Sequence, residues 1–133
     1  MSLIYMITNT NSSVLADGII PLSTIARRRG CALVNGSNSI QALKPGYYKV
    51  SGTITFTAPA AGNVIVTLQK NGTAVPGIST SGTVTTATTE INTLPISGIV
   101  RVLCNEGIAT FTLVNTGVAI TTTNVSLDFI SID

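Results

Sequence analysis

The chain has 133 residues, enough for one domain over residues 1–133 and too few for two. Only 9% of them are charged, against about 25% in an ordinary soluble domain, and a net charge of +2 is too small to suggest a nucleic-acid partner. Hydrophobic residues reach 44%, but no apolar run is long enough to span a bilayer, so membrane insertion is not expected. A small chain so poor in ionic groups must cover its surface with Thr, Ser and Asn or bury it against copies of itself. A homo-oligomer is therefore expected.

In chain order, Met1 to Ser13 carries no signal-peptide pattern, so synthesis in the cytoplasm is expected. Leu3 to Thr8 reads as a strand with Leu3, Tyr5 and Ile7 opposite Ile4 and Met6, apolar on both faces. Asn9 to Ser13 reads as a polar turn, and Gly18 to Leu22 as a short strand that Pro21 confines to an edge or a bulge. Arg27-Arg28-Arg29 is the only charge cluster and reads as a solvated loop or as a contact for an acidic partner. Cys31 to Val34 and Ser39 to Leu43 are short strands around an Asn35–Asn38 turn.

The central signal is Tyr48 to Phe56. Tyr48, Val50, Ile54 and Phe56 alternate with Tyr47, Lys49, Ser51, Thr53 and Thr55, one apolar face against one hydroxyl-rich face. Ala58 to Gly62 stops that strand. Asn63 to Lys70 is the next, closed by Asn71-Gly72, the strongest turn signal in the chain. Thr73 to Gly77 is a short extended piece, Ser79 to Thr93 an exposed, partly irregular Thr-rich tract, and Leu94-Pro95 a break in the ladder. Ile96 to Cys104, Ile108 to Asn115 and Asn124 to Ile132 complete the set, with a hairpin turn at Asn105-Glu106-Gly107. No segment keeps a 3.6-residue period. About nine or ten strands with Gly, Pro and Asn turns predict an all-β antiparallel sandwich. The sequence has no Trp for an immunoglobulin core, which favours a jelly roll.

The chain has no His, which removes histidine-based nucleophilic catalysis and histidine metal sites. The carboxylates Asp17, Glu90, Glu106, Asp128 and Asp133 have no metal-loop spacing, and no Gly-rich phosphate cradle occurs. No catalytic residue, metal or cofactor is therefore expected. Cys31 and Cys104, far apart and without a CxxC, read as buried reduced thiols. Arg101 interrupts an apolar face between Ile99 and Leu103 and is expected to be paired or to line a subunit interface. Tyr48 reads as core and Tyr47 as an interface residue.

The order GYYKVSGTITF, AGNVIVTLQKNGTAVPG, ISGIVRV and TLVNTG resembles the compact jelly rolls of the tumour necrosis factor and complement-globular-head superfamily, and more narrowly its small phage-encoded and prokaryotic members. The matching residues are Gly46, Tyr47, Tyr48, Val50, Ser51 and Gly52, then Leu68, Lys70, Asn71 and Gly72. The resemblance implies a sandwich of about ten strands that assembles as a trimer, with Tyr5, Tyr47, Arg101, Leu103 and Ile130 as candidate subunit-interface residues. It points to a non-enzymatic virion component, a head decoration, head fibre or tail-associated module. Capsid or tail proteins or a host-surface glycan would be its partners, and Arg27, Arg28 and Arg29 its candidate partner contacts. A bacterial surface or spore-coat module and a small carbohydrate-binding module are the alternatives. The loops Asn35–Asn38, Asn71–Gly77 and Asn115–Thr123 are expected together at one end, facing a host surface.

Overall fold

The computed structural model describes residues 2–105 and 107–132. In the first half of the chain the strands are β1 (Leu3–Thr8), β2 (Ser12–Val14), β3 (Gly18–Ile19), β4 (Thr24–Arg29), β5 (Leu33–Gly36) and β6 (Ser39–Ala42). The longer strands follow: β7 (Gly46–Thr57), β8 (Gly62–Lys70), β9 (Thr73–Val84), β10 (Asn92–Val102), β11 (Ala109–Asn115) and β12 (Ile120–Ile132). A front sheet runs β10-β7-β12-β1-β4, with β2 on β12, and a back sheet runs β5-β6-β11-β8-β9, with β3 on β11. All pairings are antiparallel. This is the all-β jelly-roll sandwich that the alternation predicts, with twelve strands where about ten are expected.

Period-two alternation decides what lies between the sheets. Ile4 and Met6 of β1, Tyr48, Val50, Ile54 and Phe56 of β7, and Val125, Leu127 and Phe129 of β12 point inward and are buried. Val64, Val66 and Leu68 of β8, with Phe111 and Leu113 of β11, meet them from the back sheet. Phe111 and Phe129 pack as a tilted pair, ring centres 4.9 Å apart. Tyr48 buries its ring and donates its hydroxyl to the Lys44 carbonyl at 2.6 Å, and desolvation raises its pKa above the ordinary tyrosine value.

Gly52 of β7 stands opposite Leu127 of β12. A Cβ there would press into the Ser126 carbonyl oxygen and stand 3.0 Å from Leu127 Cα, so only glycine keeps the ladder straight. Asn115 is fully buried at the end of β11 and organises the turn that follows. Its Nδ2 donates to the Val118 carbonyl at 2.7 Å, and its Oδ1 accepts from the Gly117 amide at 3.1 Å.

Several expectations are corrected. Arg27 to Arg29 belong to β4, an outer strand, and not to a loop, because a strand with every residue at least partly exposed carries no apolar stripe to read. Ser12 to Val14 pairs with β12, so the turn expected at Asn9–Ser13 is shorter. Thr73 to Val84 is one strand, whose register shift opposite Leu68 takes up Val75 to Ile78 and turns Ile78 inward. Leu94-Pro95 does not break β10: it is the last strand of its sheet, and Pro95, opposite Thr53, is tolerated on such an edge. β12 begins at Ile120, ahead of the expected Asn124, with an irregularity between Thr122 and Asn124. The expected turn at residues 105–107 includes position 106, outside the described residues.

Replacing Gly52 by Ala is expected to lower unfolding stability by about 1–3 kcal/mol, the cost of forcing an extra methyl into a packed site. Ser81→Ala, at an exposed position, should stay within about 0.5 kcal/mol. Urea unfolding monitored by circular dichroism distinguishes the two outcomes.

Candidate self-association face

Residues of the opposite parity point outward from the front sheet, and the strand registers align them in transverse rows. One row runs Arg29, Leu3, Ile130, Lys49 and Ile99. Beside it lies Arg27, Tyr5, Asp128, Ser51 and Ser97. Ile132, Tyr47 and Arg101 form a third row, at the end of the sandwich where β1 begins and β12 finishes. Toward the opposite end the face turns to hydroxyls. Thr53 and Ser126 are hydrogen-bonded at 3.1 Å, as are Thr55 and Thr93. The face is thus apolar and basic in one half and hydroxylated in the other.

The apolar half is not sparse. Ile99 is 61% exposed, Tyr47 51% and Ile132 44%, with Leu3, Tyr5 and Ile130 half-buried between them. Between the halves, a depression of about 630 Å³ is lined by Tyr5, Arg27, Asp128, Ser51 and Pro95 among others. Asp128 accepts a 2.6 Å hydrogen bond from Ser51 Oγ, so the one carboxylate on these rows has a neutral donor beside it.

Of the expected interface residues, Tyr5, Tyr47, Arg101 and Ile130 lie on this face, and Leu103, 40% exposed, follows the end of β10. Arg101, expected to be paired or to line an interface, is exposed near the end of β10, and its carbonyl accepts from Lys70 Nζ at 3.1 Å. Leu3, Lys49, Ile99, Asp128 and Ile132 were not singled out from sequence. Parity would have found all five, since Leu3 matches Tyr5 along β1, Lys49 matches Tyr47 along β7, Ile99 matches Arg101 along β10, and Asp128 and Ile132 match Ile130 along β12.

Arg27 and Arg29 share the outward face with Tyr5 and Leu3, whereas Arg28 stands opposite the inward-facing Ile4. Among the described residues none of the three forms an ion pair, and Arg27 Nη1 donates to the Ala26 carbonyl at 3.1 Å. All seven Lys and Arg residues lie in the half of the sandwich nearest the chain termini: Arg27, Arg28, Arg29, Lys44, Lys49, Lys70 and Arg101. Asp17 and Glu90 lie at the far end.

Cys31 and Cys104 are free and exposed, in the turns after β4 and β10, and not in the core as expected. Both fall just past a strand end, where alternation no longer assigns a face. The three loops expected at one end are divided. The β11–β12 loop lies at the far end and the β5–β6 turn partway along the back sheet, while Asn71-Gly72 lies at the terminal end, where the Asn71 amide donates to the Thr110 carbonyl and Asn71 Oδ1 accepts from the Thr110 amide. No group of metal-binding side chains occurs among the described residues, and no helix is long and apolar enough to cross a membrane.

Glu90 organises the far-end loop between β9 and β10. Its Oε1 accepts from the Thr85 amide, the Thr85 hydroxyl and the Thr86 amide, and its Oε2 accepts from Asn92 Nδ2 at 2.8 Å. These bonds, that of Asn92 first, hold its pKa below the usual glutamate value.

No protein-family model matches the sequence, and no curated protein matches it. Solved structures do. Murine APRIL superposes with a TM-score of 0.70 at 12% identity, covering 98% of each chain. The globular domain of zebrafish complement 1qA gives 0.70 at 9% identity, over 100% of this chain and 98% of that one. Vertex protein P5 of phage PRD1 gives 0.62 at 15% identity, over 99% and 97%. The fold is that of the tumour necrosis factor and complement-globular-head jelly rolls, as the sequence motifs suggest.

Because the folded-state pKa of Glu90 is depressed, its loop contacts are complete above the unfolded carboxyl pKa and are lost as pH falls through the lower folded value. An NMR titration should show the Thr85 and Thr86 amides shifting together with the Glu90 carboxyl, at a midpoint below that of a free glutamate. Glu90→Gln should abolish that shared transition.

Proposed function

We propose that residues 1–133 act as a single jelly-roll module that assembles as a homotrimer and serves as a non-enzymatic structural or attachment component of a phage virion: a head decoration, head fibre or tail-associated module. The observation that carries the reading is the contiguous apolar half of the front-sheet face, where Tyr47, Ile99 and Ile132 stand in water around Leu3 and Ile130. Fully burying such a side chain is worth roughly 1.5–3 kcal/mol, part of which an isolated chain leaves unused. Exposed apolar patches rimmed by polar residues are the usual mark of a protein contact.

Charge argues for a cyclic arrangement. The same face carries Arg27, Arg29, Lys49 and Arg101 against one carboxylate, Asp128. A two-fold contact using this face on both copies would set those cations against one another. In a closed ring each copy offers this face to a different patch of the next, which avoids that conflict. The family resemblance favours three copies.

The virion role is supported by the likeness to a phage vertex protein and by the hydroxyl-rich far end, which carries no basic residue. That end, with its β9–β10 and β11–β12 loops, would remain free to meet capsid or tail proteins or a host-surface glycan.

Light scattering after size exclusion at micromolar concentration should give three times the 13.7 kDa chain mass. Ile99→Asp should return the chain mass while retaining the β-sheet spectrum. A wild-type protein that elutes at the single-chain mass would overturn the assembly.

A further inference from the structure

We propose that the free edge of β4 is a docking site for an extended acidic protein segment, which adds to the front sheet as one more strand and sets its carboxylates against Arg27, Arg28 and Arg29. β4 is the last strand of its sheet and pairs only with β1 among the described residues. Its burial pattern leaves Thr24, Ile25, Arg27, Arg28 and Arg29 exposed. An outer strand of this kind presents alternate backbone donors and acceptors to any chain that can lie alongside it.

The side chains select what lies there. Arg27 and Arg29 project to the outward face and Arg28 to the other, so guanidinium groups flank the open edge on both sides. The two outward ones are about 7 Å apart along the strand, the repeat that an added strand would show between its own alternate side chains. Carboxylates at every second position of such a strand would meet Arg27 and Arg29 in register, and one between them would meet Arg28. Arginine favours this pairing because its planar fork takes a carboxylate through two parallel hydrogen bonds. No described carboxylate already occupies these groups.

A second copy of this chain does not fit the requirement, because its carboxylates are isolated: no two stand closer in sequence than Asp128 and Asp133. A nucleic-acid strand supplies negative charge but no amide and carbonyl ladder for the open edge. The simplest competing role for the arginines is to keep that edge from pairing at all, and it predicts the opposite result.

A fluorescent eight-residue peptide of alternating Glu and Val is titrated into the full chain at low salt, with anisotropy and amide hydrogen exchange as readouts. Parallel titrations use the same peptide with Gln for Glu and a single-stranded oligonucleotide of equal charge. The Glu peptide should bind at least tenfold more tightly than the Gln peptide and slow exchange at amides within Thr24–Arg29, leaving the edge strand β9 unchanged. Arg27→Glu combined with Arg29→Glu should weaken binding at least tenfold, with an unaltered far-ultraviolet spectrum. The proposal is overturned if the Glu peptide fails to bind, or if it binds without slowing exchange in β4. It is also overturned if the oligonucleotide binds equally well, which would make the arginines a general anionic patch. The exchange measurement on the wild-type chain decides the matter even if the double variant does not fold.

Discussion

In the ladder between β7 and β12, Val50 stands opposite Phe129, Gly52 opposite Leu127 and Ile54 opposite Val125 on the inward side. The same register sets Lys49 against Ile130 and Ser51 against Asp128 on the outward side. These two strands are the second and third of the front sheet, and β10 and β1 take their positions from them. A slip of β12 by one residue would send Phe129 and Leu127 into water and draw Asp128 toward the core. Core and outward face are therefore set by one pairing. Gly52, which admits the close approach of β12, is its least replaceable member.

The inward side of that arrangement is legible in the sequence, because burial on one face leaves a period of two. Tyr48 to Phe56 and Asn63 to Lys70 are readable for that reason. Elements without a buried face are harder to read. β4 looks like a charged loop because none of its residues is fully buried, and Pro95 looks like a break because a sequence does not say which strand ends its sheet. Cys31 and Cys104 look like core residues by type, whereas position just beyond a strand end decides their exposure.

The face itself is half legible. Parity along a strand marks Arg101 as sharing a side with Ile99 on β10, and Tyr47 with Lys49 on β7. Neighbours across strands are another matter: Leu3 meets Ile130 through a pairing that joins the two extremes of the chain, and no local pattern encodes that register. Its consequence is a division of labour along the sandwich. Every basic residue and the exposed apolar patch gather at the terminal end, while the far end is built from hydroxyls, a buried Asn115 and a loop gathered round Glu90. With so few charges in all, the collection of the basic ones at one end is a feature of the fold and not of composition.

The central claim is that the apolar half of the front face is covered by sister copies. Hydroxyl-radical footprinting at micromolar concentration tests it side chain by side chain. Leu15 and Ile91, 73% and 71% exposed and away from that face, serve as internal references for free solvent access. Tyr47, Ile99 and Ile132 should be labelled far more slowly than their exposure in the single chain implies, and Leu15 and Ile91 fully. Equal labelling of Ile99 and Ile91 would contradict it.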